Sequence, residues 1–146
     1  MSQQNDGKKA RDLLEKEKVS CVLVKGDQVI TKNMRGIAPL VELWEAKPTG
    51  FFCADTIIGR AAALLLVGMG IAGVYGRVMS RGAAELLERC GIPYEYGCLT
   101  ESIRNRKKDG ECPMELAVKG IEEPEAAYHA VRETLRRLTA SRGIGS

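Results

Sequence analysis

Between Arg60 and Arg77 the chain carries no charged residue. The run opens with Ala61-Ala62-Ala63-Leu64-Leu65-Leu66-Val67, mostly strong helix formers with no polar side. A helix apolar on every side has to be covered on every side. A membrane span needs about 18 or more apolar residues without a break, and Gly68, Gly70 and Gly73 interrupt this run too early. The segment is therefore expected as a central helix packed between a sheet and other helices. Phe51-Phe52-Cys53-Ala54 before it and Val74-Tyr75-Gly76-Arg77-Val78-Met79 after it have strand character. Strand–helix–strand order implies a crossover between parallel strands. Ligand sites in such sheets lie where strands end and helices begin. Asp55-Thr56 is expected at the first of these turns and Ser80-Arg81 at the second.

The remaining chain supplies the covering layers. Residues 1–7 are expected to be flexible and 8–18 to form an amphipathic helix. Val19–Val24 and Gln28–Thr31 read as a hairpin turning at Gly26-Asp27. Gly36 and Pro39 open a helix that Pro48-Thr49-Gly50 closes. Arg81–Arg89 is a helix ended by Gly91. Tyr94–Tyr96 is a short strand, residues 100–112 a charged loop, and Pro113–Lys119 a short helix with proline in its first turn. Pro124 starts the last helix, and residues 142–146 are a flexible tail. The expectation is an α/β fold: one domain over 8–141, a three-layer α/β/α sandwich with a mixed sheet of four or five strands.

Composition narrows the function classes. The 146 residues suit one domain with a real core. A net charge of +3 with 28% charged residues is too weak a basic bias for a dedicated nucleic-acid binder. The polar start, Met1 to Lys18, has no signal-peptide pattern, and the five cysteines form no CxxC pair. They read as reduced thiols of a cytoplasmic protein, at least three of them in the core.

Several motifs are candidates for chemistry. Gly68-Met69-Gly70-Ile71-Ala72-Gly73 is a literal GxGxxG, but a dinucleotide site needs a strand before it and a helix after it. Here the order is reversed, so a glycine-rich helix end is the better reading. A deaminase-type zinc site needs H-x-E at one helix start and P-C-x-x-C at the next. The corresponding places hold Ala54-Asp55-Thr56 and Ser80-Arg81-Gly82-Ala83, so neither metal nor cofactor is expected. Cys112 precedes Pro113 at a helix start and follows Arg104, Arg106, Lys107 and Lys108. It is either a low-pKa nucleophile or a capping thiol. Asp55 is a general base, a ligand acceptor or the cap of the central helix. Lys25 either meets an anionic ligand or flanks the hairpin turn, Arg60 either pairs with Asp55 or binds a phosphate, and Asn105-Arg106 either closes over a ligand or is a solvated loop. Glu115, at the third position of its short helix, is a ligand residue or a cap of that helix.

Several stretches together resemble a small family of bacterial domains of unknown function whose structural representative comes from Thermotoga. They are Gly36–Leu40, Ala54-Asp55-Thr56-Ile57-Ile58-Gly59-Arg60-Ala61-Ala62-Ala63, Ser80, Asn105-Arg106 and Gly110–Glu115. The similarity spans about residues 10–135. It implies a cytidine-deaminase-like fold that lacks the zinc ligands, with Asp55 and Ser80 at the two helix starts where a deaminase holds its metal. The family pattern often carries Lys where this chain has Arg60. By the same resemblance, Asp55, Arg60, Ser80, Asn105, Arg106 and Cys112 would share one cleft.

The expectation is a zinc-free, deaminase-like domain binding a small polar metabolite, nucleoside- or nucleotide-like, near Asp55 and the Cys112 loop. A homo-oligomer is expected; a membrane or nucleic-acid partner is not. The rival readings are a thiol enzyme with Cys112 as nucleophile and Asp55 as base, and a non-enzymatic homo-oligomeric interaction module. No reaction is assigned.

Overall fold

The computed structural model describes residues 2–34, 36–103 and 112–141. In chain order the elements are α1 (Ser2–Lys16), β1 (Cys21–Lys25), β2 (Gln28–Lys32), α2 (Ala38–Leu43), β3 (Phe52–Ile58), α3 (Arg60–Gly68), β4 (Gly73–Ser80), α4 (Arg81–Arg89), β5 (Tyr94–Thr100), α5 (Pro113–Ala117) and α6 (Pro124–Ser141). The strands form one mixed sheet in the order β2-β1-β3-β4-β5. β1 is antiparallel to β2 and β3, while β3, β4 and β5 run parallel.

Two apolar clusters define the layers. Ala10 and Leu14 of α1 pack with Val22, Val24, Ala54 and Tyr75 on one face of the sheet. The larger cluster, on the other face, takes Cys21, Leu23, Cys53 and Val74 from the strands. It adds Leu40 and Leu43 of α2, Ala61 to Leu66 of α3, Leu87 of α4, Met114 of α5 and Val131 of α6. Every side chain from Ala61 to Leu66 is buried, as the charge-free run requires. The α/β sandwich expected from the pattern is the observed fold.

The structure differs from the sequence reading at several boundaries. α1 begins at Ser2, inside the segment expected to be flexible. Asp6 of that turn is buried and accepts a bond from the Gly26 amide at 3.1 Å. β3 continues through Thr56-Ile57-Ile58, because three successive β-branched residues favour extended backbone. β5 runs to Thr100, drawn out by parallel pairing with β4 through Ser80↔Thr100. Only Cys21 and Cys53 are core thiols: Cys112 is half-buried, and Cys90 and Cys98 are exposed. Cys90 caps the end of α4 and Cys98 lies on the edge strand.

The GxGxxG segment is a helix end turning into a strand. Gly70 has φ of +75°, and the Gly70 and Ile71 amides bond back to Val67 and Leu66. This is the left-handed closure that glycine permits. A Cβ at Gly68 would lie 2.6 Å from the Trp44 ring and 2.7 Å from Pro124, and one at Gly73 would lie 2.4 Å from the Phe52 ring. Gly68→Ala is expected to destabilise the chain by about 1–3 kcal/mol through overpacking, read as a lower urea midpoint at unchanged m-value.

Candidate functional site

Local pairing decides where each candidate residue stands. Asp55 lies in the middle of β3, opposite Cys21 of β1 and Gly76 of β4. It is not at the strand-to-helix turn: the cap of α3 is Gly59, whose backbone is extended and offers no side chain. Capping of α3 by Asp55 is thereby excluded. The carboxyl is only 3% exposed. It accepts from Thr56 Oγ1 and the Ile57 amide, each at 3.4 Å, and from the Cys21 thiol. Burial pushes its pKa up to about 7, against the opposing pull of the Ile57 and Thr56 amides. The Cys21 thiol is raised well above its usual range, first by its hydrogen bond with Cys53 and then by burial.

The start of α3 is capped from elsewhere. Glu115 of α5 sets Oε1 on the Arg60 amide at 3.0 Å and Oε2 on the Ala61 amide at 3.1 Å. One carboxylate thus satisfies two of the donors that a helix start leaves without intrahelical partners. Glu115 sits in the first turn of α5, yet its carboxylate reaches across to the first amides of α3. Arg60 meets neither Asp55 nor a free face. Its guanidinium donates to the Val118 carbonyl at 2.9 Å and to the Ile121 carbonyl, and pairs with Glu122 at 3.4 Å. It ties the first turn of α3 to the connection between α5 and α6.

Ser80 does stand at a helix start. It ends β4, and its Oγ accepts from the Ala83 amide at 3.1 Å, capping α4. A Cβ built at Gly82 would meet the Arg60 side chain at 3.8 Å, so the first turns of α3 and α4 lie side by side. Cys112 is the half-buried N-cap of α5; it makes no side-chain cap bond, and its amide bonds to the Ile103 carbonyl at 2.9 Å. Arg60, Ser80, Cys112 and Glu115 therefore gather at the carboxyl ends of β3 and β4. Lys25 does not join them. Because β1 runs against β3, it falls at the opposite end, where it donates to the Thr49 carbonyl at 3.2 Å. Asn105 and Arg106 lie outside the described residues.

Two surface hollows adjoin at the amino ends of β4 and β5, of about 820 and 680 Å³. They share Arg11, Pro93, Tyr94 and Glu95, and none of the expected site residues lines either. Sequence reading also missed the grouping of Cys21, Cys53 and Asp55, whose ligand-type atoms all lie within 4.8 Å of one another. The available signal was the C-x-D spacing of Cys53 and Asp55, which puts both on one face of a strand. The pairing with Cys21 required the register.

The family model described as a domain of unknown function, DUF1893, matches residues 9–135. This chain belongs to the DUF1893 family. A crystal structure of a DUF1893 family protein, TM1506 from Thermotoga maritima, superposes with a TM-score of 0.79 at 24% identity, covering 92% of this chain and 90% of that one. At that identity the likeness speaks for the fold alone. No curated protein matches the chain.

In metal-free, chelator-treated protein the Asp55 carboxyl makes stability depend on pH. Its folded pKa, about 7, lies above the ordinary carboxyl value of 3.8, so the folded state binds the proton more tightly. The contribution is fully present below pH 4 and lost as pH rises through 7. At 1.36 kcal/mol per unit, the expected loss between pH 4 and 8 is of the order of 4 kcal/mol. Urea titrations across that range should show the decline, and Asp55→Asn should flatten it. Glu115→Ala strips two charge-assisted bonds from α3 and is expected to cost about 1–3 kcal/mol in the same measurement.

Proposed function

We propose that this chain is a deaminase-like domain, without the zinc ligands of a deaminase, that binds a small polar metabolite at the carboxyl ends of β3 and β4. The ligand class is a nucleoside or nucleotide. The observation that carries this reading is the adjacency of two helix starts, α3 and α4, with the Glu115 carboxylate seated on the first amides of α3. Helix starts favour negative groups, and Glu115 is itself an anion held in this way. Ser80 caps the Ala83 amide of α4, while the earlier amides of that turn have no intrahelical partner and suit a phosphate or carboxylate. The strand-to-helix edge of a parallel sheet is also the usual place for such a ligand. In this reading Arg60 and Cys112 form the floor beside the ligand, and Asp55 lies below it within the sheet. A thiol enzyme using Asp55 as base for Cys112 draws no such support, because the thiol bonded to Asp55 is Cys21.

A second reading, self-association, is favoured by β5. Glu95, Tyr96, Gly97 and Cys98 are exposed in succession, so this edge strand is bare on both faces, and parallel sheets are ordinarily covered on both.

Thermal melts with a panel of nucleosides and nucleoside phosphates test the first reading. At least one is expected to raise Tm in the parent chain and to lose that effect in Gly82→Glu. That change puts a carboxylate at the start of α4 without removing any bond described above. No shift with any member of the panel, in a chain shown to be folded, sinks the metabolite reading.

A further inference from the structure

Two thiols and a carboxylate share one buried patch of the sheet. Cys53 and Asp55 are alternate residues of β3 and so face the same side. Cys21 stands directly across from Asp55 on β1. Both cysteines are fully buried, and Asp55 is nearly so. The two sulfurs are 4.0 Å apart, and all three donor atoms fit within 4.8 Å. Two thiolates on a tetrahedral zinc ion stand about 3.8 Å apart, given Zn–S bonds of ~2.3 Å. The strand register has therefore already set the sulfurs at nearly the spacing such an ion imposes.

We propose that Cys21, Cys53 and Asp55 form a buried site for a thiophilic divalent cation of the zinc class, bound by two thiolates and one carboxylate. The donor set selects against magnesium and calcium, which take oxygen ligands in larger number. Among the described residues no fourth His, Cys, Asp or Glu belongs to the group. The fourth position is then left to water or a small ligand, as in zinc sites with three protein ligands. The two thiolates cancel the charge of the ion and the Asp55 carboxylate leaves a single negative charge, less costly in an apolar layer than the bare ion or three separate anions. Each thiol gives up its proton on binding, and Asp55 gives up whatever proton it holds, so loading releases acid and weakens as pH falls. The site lies within the sheet where the β1–β3 ladder ends at the Cys21–Asp55 pair, below the helix starts discussed above and not part of them. It stands whether or not a metabolite binds there.

The test uses the full chain, purified under reducing conditions from zinc-supplemented cells and shown to be folded by circular dichroism. Elemental analysis is expected to find stoichiometric zinc. After chelation, titration with Co²⁺ alone is expected to give a sulfur-to-cobalt charge-transfer band and the visible bands of tetrahedral cobalt. Three variants assign the ligands. The triple variant Cys90→Ser, Cys98→Ser, Cys112→Ser removes only thiols outside the core and should keep both zinc and the band. Asp55→Asn should shift the visible cobalt bands and lower zinc retention, and Cys21→Ser should abolish the charge-transfer band. Should Cys21→Ser fail to fold, the triple variant still decides. Absence of zinc and of the band in folded parent protein overturns the proposal, because a merely packed hydrogen-bonded cluster binds no cation. So does a band that vanishes with the outer thiols.

Discussion

Every side chain from Ala61 to Leu66 is withdrawn from water, and no single neighbour can achieve that around a helix. The sheet covers α3 from below, while α2, α4 and α6 close around its flanks and top, all within one apolar cluster. Burying that surface is the main favourable term in the fold, at about 25 cal/mol per Å². It also explains the glycines at the far end. Gly68 allows Trp44 and Pro124 to approach the helix closely, and Gly70 turns the chain back toward β4.

The start of α3 has no polar cap of its own, since its cap position is Gly59. Its start is served instead by distant groups. Glu115 reaches from α5 to the first two amides, and Arg60 reaches back to the carbonyls that join α5 and α6. These bonds cross 54 to 61 positions of sequence. They couple the carboxyl edge of the sheet to the α5 region, so the stability of the central helix depends on side chains from α5 and from its own first turn.

The polar groups of the sheet itself follow a different logic. Asp55, Cys21 and Cys53 lie among apolar neighbours on a face that otherwise holds Leu23 and Val74. A carboxyl there keeps its proton to a much higher pH than an exposed one, up to about 7, or needs a cation beside it. The described partners of Asp55 are thiol, hydroxyl and amide donors, all uncharged. A buried acid next to two thiols has a recognisable chemistry, and it differs from that of the helix starts.

Much of this was legible in the residues. The charge-free run called for a buried helix, the flanking apolar stretches for parallel strands, Gly26-Asp27 for a hairpin and Ser80 for a helix start, and each is found. These are local signals, set by periodicity and by the conformational range of single residues. The site was less legible. Asp55 looked like a cap because Gly59 gives no capping signal, and the strand continues through Thr56 to Ile58. Lys25 was a candidate for an anionic ligand, but antiparallel β1 carries it to the end of the sheet opposite Ser80. Periodicity and composition determined the layers and the central helix, while particular residue motifs carried the family resemblance. Strand register and long-range side-chain reach decided which polar groups meet, because hydrogen bonds and ligand sets depend on distances that chain order does not contain.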